Sequence, residues 1–68
     1  MISLLDVVVL LSDVATYKLR KGSLGTVVEL LGEGIYLVEF ADLNGVTYAM
    51  PSLTDSQLLK VYHEPVAA

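Results

Sequence analysis

Residues 25–40 read GTVVELLGEGIYLVEF, two runs of aliphatic, β-branched and aromatic residues on either side of Gly32-Glu33-Gly34. Short apolar runs bounded by glycine are the pattern of a β-hairpin. A lone hairpin is not stable in water, so the rest of the chain must supply further strands to close a core. Its punctuation is of that kind: Gly22 and Gly25, Gly32 and Gly34, Asn44-Gly45, then Pro51-Ser52. A spacing of roughly ten residues per strand and turn suits a small β-barrel.

The runs between these marks predict five strands, over residues 6–11, 25–31, 35–40, 46–50 and 58–62, with a loop over 12–23. Helix is the rival for residues 1–11, but Val7-Val8-Val9 in a row favours strand. Thr54-Asp55-Ser56-Gln57 has the polar arrangement of a capping box, Thr54 as N-cap and Gln57 at the third helical position, and predicts one short 3-10 turn before the last strand. The expected fold is all-β: a five-stranded barrel in one domain over residues 1–64, with a C-terminal tail over 65–68.

A register follows if Gly32-Glu33-Gly34 is the hairpin loop and Leu31 faces Ile35. Thr26 then pairs with Phe40, Val28 with Val38 and Leu30 with Tyr36 on one face. The other face carries Val27, Glu29, Leu31, Ile35, Leu37 and Glu39. Both glutamates fall on this second face, so the first is expected to be the core. In the next turn, a three-residue Leu43-Asn44-Gly45 loop with Gly45 left-handed places Tyr48 opposite Phe40 and Met50 opposite Val38. A two-residue Asn44-Gly45 turn would bring Ala49 inside instead, and fills the interior less well.

Composition then bounds the function. With 68 residues, 54% of them hydrophobic and 18% charged, the chain is too apolar for a disordered tail. It also carries more apolar surface than one small core hides, which points to a partner or a homodimer. There is no cysteine, so no disulfide framework, thiolate metal site or cysteine nucleophile. His63 stands alone, whereas an organised zinc site takes about four ligands. No metal or cofactor is expected. The apolar start of the chain lacks a basic leader and is interrupted by Asp6 and Asp13, short of the ~20 residues a membrane span needs. It reads as neither signal nor anchor, and the cytoplasm is the expected address.

Gly22 and Gly25 read as structural. They stand where a loop turns into a strand that must bend, a place where a Cβ is costly. As a phosphate cradle they fail, because phosphate loops lead into a helix N-terminus.

The segments LLDVVVL (4–10), GSLGTVVE (22–29), YLVEF (36–40), TYA (47–49) and LTDSQLL (53–59) together resemble a family of short bacterial proteins that carries only a domain-of-unknown-function label. More loosely, the glycine-rich turn entering a Val-rich strand is similar to SH3-like barrels at large, among them KOW-type modules and a small photosystem accessory subunit. The resemblance implies an SH3-like barrel acting as a free-standing cytoplasmic module. It also implies a small protein encoded alongside, as a toxin stands beside its antitoxin or immunity protein. It brings no catalytic or ligand residues.

Three function classes remain to be weighed. The acids available to an enzyme are Asp6, Asp13, Glu29, Glu33, Glu39, Asp42, Asp55 and Glu64. Glu29 and Glu39 share the outer face of the hairpin, but a solvent-facing pair has neither the cleft nor the shifted pKa that acid–base work needs. Nucleic-acid binding has the KOW likeness in its favour and could stack bases on Tyr17, Tyr36, Tyr48, Tyr62 or Phe40. A net charge of −4 has the wrong sign for it. Lys18, Arg20 and Lys21 form a small cluster that is either a solvated loop or a contact for an acidic partner. Protein binding is the third class, supported by Val27, Leu31, Ile35 and Leu37 rimmed by Glu29, Glu33 and Glu39. An apolar centre with an acidic rim suits a basic partner, although a coiled barrel strand also buries residues of both faces. The expectation is a non-catalytic module binding a basic protein, of the antitoxin or immunity kind; a KOW-like RNA-associated module or an accessory subunit of a larger complex is the alternative.

Overall fold

The computed structural model describes residues 1–62, so His63, Glu64 and the expected tail over 65–68 lie outside the described residues. Six strands form: β1 (Val7–Leu10), β2 (Leu24–Gly32), β3 (Ile35–Ala41), β4 (Thr47–Ala49), β5 (Ser52–Thr54) and β6 (Leu58–Lys60). Two 3-10 turns, Ala15–Tyr17 and Asp55–Gln57, complete the architecture. The pairing runs β4-β3-β2-β1-β6, all antiparallel, with β5 also on β3. The fold is all-β as expected. The closed five-stranded barrel is not found: β4 and β6 end the path unpaired with each other, giving one open six-stranded sheet.

The sixth strand arises at Pro51. Proline has no N–H to donate, so the run expected over 46–50 stops short and the chain resumes as β5. Both pieces lie along β3, and Val38 N donates to Pro51 O (3.0 Å) between them. The turn after β5 forms as read: Thr54 N donates to Gln57 Oε1 at 2.9 Å. The loop over 12–23 holds the other 3-10 turn and a Val14–Leu19 bridge that brings Leu19 into the core.

β-Bulges set the strand register. Near the hairpin tip, Glu29 faces Leu37 and Leu30 faces Tyr36, as expected. Between Val27 and Glu29 the register shifts by one residue, leaving Val28 unpaired, so Val27 faces Val38 and Thr26 faces Glu39. A bulge of this kind exchanges the faces of everything beyond it. Val27 is therefore fully buried rather than on the outer face, while Thr26 and Val28 are only half-buried. A second shift at Leu31 pairs Gly32 with Ile35 and reduces the loop to Glu33-Gly34.

The β3–β4 turn keeps its expected three-residue loop. Gly45 has φ +80°, and Asp42 Oδ1 accepts from Asn44 N (2.8 Å) and Val46 N (3.0 Å). Ala41 then faces Thr47, but a further bulge at Tyr48 sets Ala49 opposite Phe40. Ala49 is buried and Tyr48 and Met50 are exposed, the reverse of the expected interior.

The core gathers Val8 and Leu10 of β1, Val27 of β2, Val38 and Phe40 of β3, and Leu53 of β5. Phe40 is its largest fully buried side chain, and truncating such a residue to alanine costs about 3–5 kcal/mol. Gly25 makes room for it. A Cβ there would stand 2.6 Å from Val38 Cγ1 and 2.9 Å from Phe40 Cε1. The glycine that opens β2 thus serves a close approach, as the sequence implied.

Candidate functional site

The seven residues singled out on the hairpin do not stay together. Val27 belongs to the core. The other six lie on the outer face or at the tip: Glu29 opposite Leu37, Ile35 opposite Gly32, Glu39 opposite Thr26, Leu31 in its bulge and Glu33 in the turn. Glu29 and Glu39 both stay on the outer face, each opposite a neutral residue, Leu37 and Thr26.

The tip owes its exposure to where β1 stops. Paired residues of β1 end at Val7 opposite Thr26, and the last bonds run from Val27 N to Asp6 O (2.9 Å) and from Leu5 N to Val27 O (2.7 Å). Past Val28, β2 has β3 on one side and, among the described residues, no strand on the other. Leu30 lies opposite buried Tyr36 there, as expected, yet remains 53% exposed because, among the described residues, no strand continues beside it on the β1 side. Together with exposed Leu31 and Ile35 it makes an aliphatic tip. Glu29 and Glu33 stand exposed beside it, and Asp55 is fixed against the turn by its N–H donating to Gly34 O (3.0 Å). A hydrogen bond to the Asp55 carboxylate, followed by burial, holds the Tyr36 phenol above its ordinary pKa.

The acids elsewhere act as ties for turns. Asp6 Oδ2 accepts from Ser3 N (2.6 Å) and stands 3.3 Å from Lys60 Nζ. Asp13 Oδ1 accepts from Lys21 N (2.8 Å). Lys18, Arg20 and Lys21 are exposed in the segment leading into β2, at the opposite end of that strand from the acidic tip.

A second apolar surface escaped the sequence reading. Val9 pairs with Leu24 on one side and Leu59 on the other, forming a row across three strands in which the leucines are 59% and 57% exposed. Beside it a shallow depression of about 150 Å³ is lined by Val7, Leu24, Gly25, Thr26, Glu39 and Ala41. Its only signal in the sequence is the run VVVLL at 7–11, whose two faces are equally apolar and so name no inside.

No helix among the described residues is long and apolar enough to cross a membrane. The chain matches no curated protein and no solved structure. Residues 4–60 match the model of a family described as a domain of unknown function, DUF4926. That stretch runs from the turn before β1 to the end of β6 and takes in all three bulges, the tip and the depression. The chain is a member of the DUF4926 family.

Proposed function

We propose that this domain is a non-catalytic protein-binding module that holds a basic partner at the tip of the β2–β3 hairpin. The observation that carries the reading is the tip itself: Leu30, Leu31 and Ile35 exposed where β2 runs on past the end of β1, with Glu29, Glu33 and Asp55 beside them. Exposed aliphatic side chains supply contact area, and the carboxylates orient a cationic partner and speed its approach. A net charge of −4 adds long-range attraction of the same sign. Within this reading the partner is a protein that the domain neutralises, in the manner of an antitoxin or immunity protein.

Affinity capture from the native host with the wild-type domain and with Glu29→Lys/Glu33→Lys tests it. The wild type should retain a basic protein that the double variant loses, with the two domains melting alike. Expression of the retained protein alone should arrest growth, and co-expression of the domain should restore it. Retention indifferent to the charge reversal would overturn the tip as the binding surface.

A further inference from the structure

The depression on the outer sheet face is a different place from the tip, and its chemistry is mixed. Val7, Leu24 and Ala41 give it aliphatic walls, and Glu39 adds an acidic residue to the lining on the β3 side. Its volume of about 150 Å³ is well below the ≈ 300–1,000 Å³ of small-molecule pockets. It corresponds to roughly five water volumes at about 30 Å³ each, the scale of one long side chain.

Glu39 is half-buried, and one of its oxygens is committed: Thr47 Oγ1 donates to Oε2 at 2.7 Å. Among the described residues no cation pairs with it, the one ion pair there being Lys60 with Asp6. We infer that the depression receives a lysine side chain of the partner, its methylene stem along Val7, Leu24 and Ala41 and its ammonium on Glu39. Lysine fits better than arginine because Thr47 already takes one of the acceptor sites of the carboxylate and holds it on one side. A planar guanidinium fork needs both oxygens presented together, whereas a compact ammonium needs only one of the sites left. The amphipathic stem matches the apolar wall that a small anion or a metal ion would leave unused. This inference rests on the basic-partner reading and names which group of that partner is recognised.

The test is an amide-resolved NMR titration of the whole chain with the capped tripeptide acetyl-Ala-Lys-Ala-amide at millimolar concentrations. Norleucine and arginine versions of the tripeptide serve as comparisons. The lysine peptide should shift the amides of Leu24 to Thr26, Glu39 and Ala41 saturably. Norleucine, which keeps the stem and loses the charge, should bind about tenfold more weakly, as expected for loss of one hydrogen bond to a charged group. Glu39→Gln should weaken the lysine peptide to the same degree, and Ala41→Leu, which fills the depression from an exposed position, should abolish the shifts. Both variants should melt like the wild type. Equal binding of lysine and norleucine, tighter binding of arginine, or no shift at all would overturn the lysine assignment. Shifts confined to residues 29–35 would overturn it as well, while leaving the tip reading intact; that reading falls only by the capture experiment.

Discussion

Gly25 and Gly34 are both needed, for different reasons. Gly25 has an ordinary backbone but no room, since any Cβ meets Val38 and Phe40 inside 3 Å. Gly34 is left-handed at φ +71°, and a Cβ there would stand 3.1 Å from Asp55 Oδ2. Gly25→Val overpacks the core beside its largest side chain and should cost about 3 kcal/mol in urea titration. Gly34→Ala should cost about 1–2 kcal/mol through its left-handed backbone. Asp6 gives a residue-scale pH effect. The Ser3 N–H and Lys60 hold its carboxyl below the ordinary 3.8, against the opposing pull of burial. The folded protein therefore releases that proton more readily than the unfolded chain. The contribution is complete above the ordinary value and is lost as pH falls through the folded one. Melts followed from pH 6 down to about pH 2 should show wild type losing more stability than Asp6→Asn across that window.

At the scale of elements, the strands were legible and the bulges were not. Tyr36, Val38 and Phe40 alternate with Leu37 and Glu39, and the glutamate marks the outside, so the inner face of β3 could be read directly. On β2 both Thr26-Val28-Leu30 and Gly25-Val27 are plausible interiors, and only the extra residue at Val28 selects the second near β1. Nothing in composition records such an insertion, because it is set by how the strand must bend between β1 and the tip. The same bulge takes Val27 out of the expected outer surface and into the core, and the exposure of Leu30 follows from where β1 ends rather than from its own sequence. Deletion of Val28 tests the bulge. It would leave Val27 opposite Val38 and Glu29 opposite Leu37, with regular alternation between them. The variant should fold with a modest loss of stability and keep Val27 protected from hydrogen exchange. Deletion of Val38, which has no bulge to absorb it, should turn Phe40 outward and abolish the cooperative melt.

For the whole molecule, charge and apolar surface act on association in opposite directions. The chain carries −4 overall, with Lys18, Arg20 and Lys21 at one end of β2 and Glu29 and Glu33 at the other. Two copies approaching tip to tip bring carboxylates together, so the exposed leucines cannot be covered by a second copy without repulsion at low salt. Raising salt to about 1 M shortens the Debye length to about 3 Å and removes most of that repulsion, while the apolar contribution remains. Self-association should therefore rise with salt, from monomer at 50 mM to detectable dimer near 1 M in sedimentation velocity. Binding to a cationic protein should move the other way, because screening removes the attraction that orients it. Nucleic acid is predicted to show no useful affinity at about 150 mM salt, where three lysine or arginine side chains displace few counterions. The two salt slopes discriminate between readings of the surface. Self-association that weakens with salt would mean that the basic end of one copy docks on the acidic tip of the next, and the basic partner would be the chain itself. A monomer at every salt concentration would refute this balance, because with repulsion screened the exposed Leu30, Leu31 and Ile35 would then contribute too little to hold a second copy.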